Sequence, residues 1–326
     1  MKRKIALSGL AVALVFLLPL VFTVPRAGDR RSEDGTGQLP AASADAATVL
    51  AVRTAAGTRE MTLAEYLPLA LAGEMPAVFE PEALQAQAVA LRTYALYYRA
   101  QRKPNHPEAD ICTEPGCCAA FAEEETLREN WGENYDAYRE KLRCAVEETD
   151  GEYLTWDDAP ALAVFHASSY VSTEDGAALG LSVPYLERVE TPETAALVRN
   201  LRSTVEVSRE DFRTTVLAAC PDAVLEGDAA NWVGGVQLNA SGRVAEALIG
   251  GAAISGLTLR QMFSLRSTDF TLAWDGERQS FLFRVNGYGH GLGMSQYGAE
   301  LMAGAGADHR EILAHYYPGT QLARLG

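Results

Sequence analysis

Residues 287–299 read Gly-Tyr-Gly-His-Gly-Leu-Gly-Met-Ser-Gln-Tyr-Gly-Ala. Glycine at 287, 289, 291 and 293 leaves no apolar face for a strand to bury. It permits positive φ and close backbone approach instead, and it presents His290, Ser295 and Gln296 on a tight loop. A glycine-rich connection into a final helix is the competing reading. A Ser–His nucleophile needs an orienting acid and an oxyanion hole, and the sequence offers no candidate for either. These side chains therefore read as a binding surface for polar groups. Glu74 is a second candidate. Read from its neighbours alone, it is either an exposed loop acid or a carboxyl set against Leu67, Leu69, Ala70, Leu71 and Ala72. In the second case burial disfavours the charged form and leaves a proton available near neutrality for acid catalysis. The third candidate is the cluster His106, Cys112, Cys117 and Cys118. Imidazole and thiolate suit tetrahedral Zn²⁺, whereas thiols outside the cytoplasm otherwise oxidise. Cys117 could pair with Cys112 or Cys144, and Cys220 reads as a lone thiol. An odd count of five cysteines fits free or metal-bound thiols better than a closed disulfide framework.

The elements that must hold these groups are legible in part. Thr62 and Glu65 stand at capping-box spacing ahead of a helix over about Leu63–Ala72, with Pro68 inside it as a kink. Gly73 is the expected terminator, which puts Glu74 just past the helix end. Pro81 opens a helix over about Glu82–Arg99, with Leu84, Ala88, Leu91, Ala95 and Tyr98 as the buried stripe. Strands are expected from Thr48 to Val52 and at Leu162–Phe165, Val233–Leu238, Arg243–Ile249 and Phe281–Val285. A helical segment follows at Leu259–Leu265. The last helix spans about Arg310–Tyr317, with Asp308 and Glu311 as a second capping box and Pro318-Gly319 as the stop. Strands and helices mix without a βαβ period or an internal repeat, so the fold class is α+β.

The chain has 326 residues, 48% apolar and 22% charged, as expected of a folded protein. Its net charge of −15 excludes a nucleic-acid phosphate backbone as the main partner. It also disfavours adhesion to anionic lipid headgroups. Met1-Lys2-Arg3-Lys4 precedes an uncharged run from Ile5 to Val24, long enough to cross a bilayer and lacking an Ala-x-Ala exit. Residues 1–26 are therefore expected to be an uncleaved membrane anchor, single-pass, with the basic end in the cytoplasm. Residues 27–46 read as a flexible linker and 47–326 as the folded domain.

Two long strings together resemble the stage II sporulation protein D family. They are Gly73-Glu74-Met75-Pro76 with Gln85-Ala-Gln-Ala-Val-Ala-Leu-Arg-Thr-Tyr94, and Gly289-His-Gly-Leu-Gly-Met-Ser-Gln-Tyr-Gly-Ala299. The resemblance implies a lytic transglycosylase of peptidoglycan with Glu74 as its single catalytic glutamate. The cut would fall between N-acetylmuramic acid and N-acetylglucosamine and leave a 1,6-anhydro end during engulfment in endospore formation. It carries substrate-binding roles onto Arg92 and Tyr185, and in part onto His166, because His166-Ala167-Ser168-Ser169-Tyr170-Val171 lacks the family's terminal glycine pair. The loop is then expected to follow another backbone path. Glu187 departs from a basic residue usual in the better-known members. The resemblance also implies a zinc held at six-residue intervals by His106, Cys112 and Cys118, in a structural role. An amidase partner, stage II sporulation protein P, is implied as well. So is a location between mother cell and forespore. The competing function is a non-catalytic cell-wall binder that activates an amidase.

Overall fold

A computed structural model describes residues 43–326. The expected anchor at 1–26, and the linker as far as residue 42, lie outside the described residues. Among the described residues no helix is long and apolar enough to cross a membrane.

Ser43 caps a short helix, α1 (Ala44–Ala47). The hairpin of β1 (Val49–Thr54) and β2 (Gly57–Thr62) follows, and Val49 lies opposite Thr62. Thr62 ends the hairpin and caps α2 (Leu63–Glu74). Its hydroxyl accepts the Glu65 N–H at 3.2 Å, and Glu65 accepts the Thr62 N–H at 2.7 Å. Pro68 is buried inside the helix without ending it. Gly73 does not end it either. Glu74 is the last helical residue, and the Met75 N–H closes onto the Leu71 carbonyl at 2.9 Å. Gly73 serves close approach instead. A Cβ there would stand 2.8 Å from the Phe121 nitrogen and 2.9 Å from the Ala120 carbonyl carbon.

The long helix α3 (Pro81–Gln101) starts on its proline and is buried on every side from Ala83 to Leu96. The stripe of Gln85, Val89, Arg92 and Leu96 is therefore as buried as the expected apolar one, because α3 is the centre of the molecule and not a surface helix. Packed around it are α2, α5 (Tyr135–Glu148), β4 (Glu152–Trp156), α8 (Gln296–Gly304) and α9 (His309–Tyr316). Between α3 and α5 come β3 (Ile111–Cys112), parallel to β1, and α4 (Glu124–Trp131). A sheet of β4, β5 (Ala159–Pro160) and β14 (Gln321–Arg324) closes one side. Leu50, Leu63, Leu67, Leu71, Leu91, Tyr66 and Tyr316 are fully buried in this first core.

A second core is inserted into the chain. It comprises β7 (Arg202–Ser208), α6 (Arg209–Ala219), β8 (Val233–Leu238), β9 (Val244–Ile249), β10 (Ala252–Ser255), α7 (Gly256–Met262), β11 (Phe270–Asp275) and β12 (Ser280–Asn286). Its sheets run β11-β12-β7 and β10-β9-β8 around stacked aromatics. Phe212 and Phe281 lie 3.8 Å apart between ring centroids. The chain then returns to the first core through β13 (Met294–Ser295), which pairs in parallel with β6 (Phe165–His166). The fold is α+β, with several small sheets. The strand expected over Leu162–Phe165 shrinks to two residues, because β13 offers only two residues to pair with.

Two expectations fall together. Residues 43–46 are not linker, and Arg92 is not a cleft residue. Arg92 is fully buried, with Nε and Nη2 donating to the two oxygens of Asp45 at 2.7 and 2.5 Å. Its Nη1 donates to the Glu152 carbonyl at 2.8 Å. A buried guanidinium needs a planar bidentate partner, and α1 supplies it.

Candidate active site and metal-binding loop

A cleft of about 620 Å³ opens between the end of α2, the loop after α3 and the wall formed by the 165–167 and 288–296 segments. Glu74 is half-buried in it and is the one carboxylate among the described residues that line it. Oε1 accepts the Ala120 N–H, and Oε2 accepts an Nε2 hydrogen of Gln296 at 3.1 Å. Burial pushes the Glu74 carboxyl above its usual range, and the two donors hold it back in part.

The opposite wall joins two distant segments. Ser168 and Tyr288 exchange backbone hydrogen bonds at 3.1 and 2.8 Å beside the β6–β13 pair. This approach is what the glycine string is for. A Cβ at Gly289 would lie 2.6 Å from the His166 Cβ, and one at Gly293 would lie 2.0 Å from the Val164 carbonyl oxygen. His166, His290 and Gln296 line the cleft with Glu74. Neither histidine is placed to act as a base. His166 Nδ1 bonds the Leu292 carbonyl at 3.0 Å, and Nε2 meets the Ser169 hydroxyl at 2.6 Å. Burial drives its pKa well below the usual histidine value. The Leu292 N–H donates to His290 Nδ1 at 3.0 Å, so the hydrogen of the neutral ring sits on Nε2. Burial, then the charge of Arg260, pushes His290 down to about 4.

Sequence reasoning missed several cleft residues. Lys103 donates to the Tyr94 hydroxyl at 2.8 Å and lies 4.3 Å from the Tyr98 ring centroid. Tyr288 is 52% exposed, with Arg260 beside it in the lining. Exposed rings and cations at a cleft edge suit sugar faces and polar substituents. Arg260 comes from α7 in the second core, and no local pattern links that helix to Glu74.

His106, Cys112, Cys117 and Cys118 bring one donor atom each to within 4.8 Å of one another. The Sγ atoms of Cys117 and Cys118 are 3.9 Å apart, and Cys118 Sγ is 3.4 Å from His106 Nε2. The edge of a tetrahedron with Zn–S near 2.3 Å is about 3.8 Å, so the donor set fits zinc. His106 Nδ1 faces the Ala109 carbonyl at 3.3 Å, which leaves Nε2 toward the cluster. Asn105 donates to Cys117 Sγ at 3.0 Å. Cys117 thus stands as a fourth donor beside the expected His106, Cys112 and Cys118. Such a closed set would hold a zinc whose chemistry is to tie the loop together, with no open coordination position. All five cysteines are free thiols, with none paired. Cys117 to Ala120 also line the cleft, so the loop that carries the cluster delivers the Ala120 N–H to Glu74.

Two further expected residues lie off the cleft lining. Tyr185 is 5% exposed, and its hydroxyl accepts the Leu162 N–H at 2.6 Å. Ser295 is fully buried, caps α8 and donates to Glu193 Oε1 at 2.5 Å. Glu187 is exposed and outside the lining. The 166–171 loop holds a residue in a backbone region that favours glycine. Val171 adopts φ +67°, a left-handed backbone.

Residues 52–156 match the family model described as Stage II sporulation protein. Stage II sporulation protein D of Bacillus subtilis (strain 168) is 30% identical over 340 residues, covering 99% of this chain and 96% of that protein. The chain belongs to the stage II sporulation protein D family. The namesake of Bacillus amyloliquefaciens is also 30% identical, over 97% of this chain and 94% of its own. An amidase enhancer of Bacillus subtilis (strain 168) is 26% identical over 76% of this chain and 39% of that protein. The family match spans α2 and α3, so it includes Glu74, the buried Arg92 and the whole His/Cys cluster.

Proposed function

We propose that this protein is a lytic transglycosylase of peptidoglycan in spore formation, with Glu74 as both acid and base. The observation that carries this reading is a half-buried glutamate at the floor of the cleft with no second carboxylate among the described lining residues. Hydrolysis by a carboxylate pair needs a partner to hold water or a glycosyl intermediate. Lytic cleavage does not, because the nucleophile belongs to the sugar. Glu74, protonated through its raised pKa, gives its proton to the glycosidic oxygen as the C1–O bond of N-acetylmuramic acid breaks. The C6 hydroxyl of the same ring then bonds to C1, and the Glu74 carboxylate takes its proton. No water is consumed, and the acid is regenerated. The Gln296 amide and the Ala120 N–H steady the carboxylate between the two transfers.

A zinc on His106, Cys112, Cys117 and Cys118 has a structural part in this reading. Residues 1–26 anchor the chain, and the cleft works in the space between mother cell and forespore. An amidase that strips peptides, stage II sporulation protein P, is the natural partner.

A second reading, a non-catalytic activator of an amidase, is favoured by the similarity to the amidase enhancer. The two readings separate on Glu74→Gln. Products from amidase-treated glycan are resolved by mass spectrometry. The lytic reading expects anhydro-ended fragments from the wild type and a loss of ~10²–10⁴-fold or more in the variant. Wild-type amounts of anhydro ends from Glu74→Gln would contradict it.

A further inference from the structure

We propose that Glu193 is a positioning residue for the cleft. Its carboxylate ties the His166–Ser169 turn to the Ser295–Gln296 corner and so holds the Gln296 amide on Glu74. The inference rests on the reading of Glu74 as the catalytic acid. The bonds that link Glu193 to Glu74 through Ser295 and Gln296 are present whether or not glycan is cut.

Glu193 is 2% exposed and outside the motifs that mark the cleft. One of its oxygens, Oε1, accepts from both walls. The Ser169 N–H reaches it at 2.8 Å and the Ser295 hydroxyl at 2.5 Å. Besides this bridge, the two stretches meet through the two-residue β6–β13 ladder, the bond from the Tyr297 N–H to the Ala167 carbonyl at 3.0 Å, the Ser168–Tyr288 backbone pair and the contact of His166 Nδ1 with the Leu292 carbonyl, and of these only the ladder and the Tyr297 bond reach the Ser295–Gln296 corner. A ladder that short does not fix register strongly. Both donors lead to the cleft within a residue or through one further bond. Ser169 carries the hydroxyl that meets His166 Nε2. Ser295 immediately precedes Gln296 and caps the first turn of α8, accepting the Gly298 N–H at 3.4 Å. Moving Ser295 therefore moves the amide that faces Glu74.

The surroundings indicate an acceptor chosen for its bonds. Glu193 Oε2 has no hydrogen-bond partner among the described residues. A Cβ at Gly298 would stand 2.9 Å from Oε2, 2.7 Å from Thr191 Oγ1 and 2.0 Å from Tyr316 Oη, so α8 crosses this spot on a glycine. The polar and titratable groups around Glu193 are Ser169, Ser295, Thr191, Tyr316 and the buried Arg243. Arg243 donates through Nη2 to the Ser169 hydroxyl at 2.9 Å, with Glu174 3.9 Å from its Nε. The Arg243 Nη2 hydrogens go to the Ser169 hydroxyl and the Ser172 carbonyl and not to the Glu193 carboxylate. A buried acid with half its lone pairs unused costs more than an amide would. What it adds is two hydrogen bonds accepted by one oxygen from two different segments, and these become charge-assisted once the carboxyl is ionised.

The test is a ¹³C NMR titration of the Glu74 carboxyl in the whole protein, assigned with Glu74→Gln. Glu193→Ala, Glu193→Gln, Ser295→Ala, Gln296→Ala and the double variant Glu193→Ala/Gln296→Ala are compared. A hydrogen bond from Gln296 favours the ionised carboxylate, so its loss raises the Glu74 midpoint. Glu193→Ala is expected to raise it as far as Gln296→Ala does, with no further rise in the double variant. Glu193→Gln keeps an oxygen that accepts from both serines, so the midpoint stays near the wild-type value. If Glu193→Ala does not fold, Ser295→Ala carries the comparison, with a rise in the same direction that vanishes in a Gln296→Ala background. A Glu74 midpoint unmoved by both Glu193→Ala and Ser295→Ala, or a shift that adds to that of Gln296→Ala, overturns the proposal. Absence of glycan cleavage by the wild type would overturn the role of Glu74 as acid and leave this readout standing.

Discussion

Gln296 Nε2 donates to Glu74 Oε2 across 3.1 Å, joining residues 222 positions apart in the chain. This bond brings the two sequence motifs together. It also opposes the effect of burial on Glu74, so the acid is raised but not held permanently neutral.

The pH dependence of cleavage follows from that balance. Glu74 must be protonated to act as the acid, and its pKa lies above the usual carboxylate range. The rate should therefore fall as pH rises through that raised value, and Gln296→Ala should move the falling limb to higher pH. His290, pushed down to about 4, stays neutral above that pH and contributes no limb near neutrality. A limb near pH 6.5 that disappears in His290→Gln would contradict this assignment.

Arg92 should matter for stability before it matters for binding. Arg92→Ala strands Asp45 in the core, and breaking a buried pair costs about 3–5 kcal/mol. Urea denaturation measures it. Deleting residues 1–42 should leave the fold intact, whereas deleting through Ala47 should destabilise it by a similar amount. Unchanged stability with lost glycan binding in Arg92→Ala would return this residue to the cleft.

Zinc analysis should find one ion per chain. Cys117→Ser and Cys112→Ser should both weaken its retention by at least about tenfold. Chelation should lower the melting temperature by at least ~5 °C, since the ion ties the loop that packs on Gly73. A metal-free protein with a Cys112–Cys117 or Cys112–Cys118 disulfide would rule the site out.

Glu193 gives a stability signature with a defined sign. Burial pushes its carboxyl up to about 7. The folded protein then keeps a proton that the unfolded chain releases near pH 4.5. The stability this group adds is fully present below that pH and is lost as pH rises toward 7. At ~1.4 kcal/mol per pKa unit, the loss is roughly 3 kcal/mol. Glu193→Gln carries no such proton. Its stability relative to wild type should improve between pH 5 and pH 8, and a constant difference would contradict the burial argument.

Val171 holds φ +67° with a β-branched side chain that is 53% exposed. Left-handed backbone costs such a residue ~1–2 kcal/mol, against ~0.5–1 for the extra freedom of glycine when unfolded. Val171→Gly should therefore raise stability by up to about 1 kcal/mol in thermal denaturation. A loss of stability would show that the side chain makes a contact outweighing the strain.

What the sequence revealed was local. Both capping boxes, the proline that opens α3 and the strands β8, β9 and β12 lie close to their expected places, because each is written within a few neighbouring residues. The His/Cys cluster was legible for the same reason. Pairings across the fold were not. The family resemblance carried a cleft role onto Arg92, and nothing local opposed it, because its partner Asp45, 47 positions earlier, sits in a stretch whose composition suggests linker. Gly73 read as a helix stop, since the Ala120–Phe121 backbone that requires it lies far along the chain. Glu193, Lys103 and Arg260 carry no motif, and only the packing of the 166–193 loops, of the loop after α3 and of α7 shows where they stand.

The most direct test of the central claim is digestion of amidase-treated glycan strands in ¹⁸O-labelled water, with every new end analysed by mass spectrometry. Lytic cleavage with Glu74 as acid and base gives 1,6-anhydro ends without ¹⁸O, formed by the wild type and absent with Glu74→Gln. Reducing ends that carry ¹⁸O, or no cleavage unless an active amidase is present throughout, would contradict it.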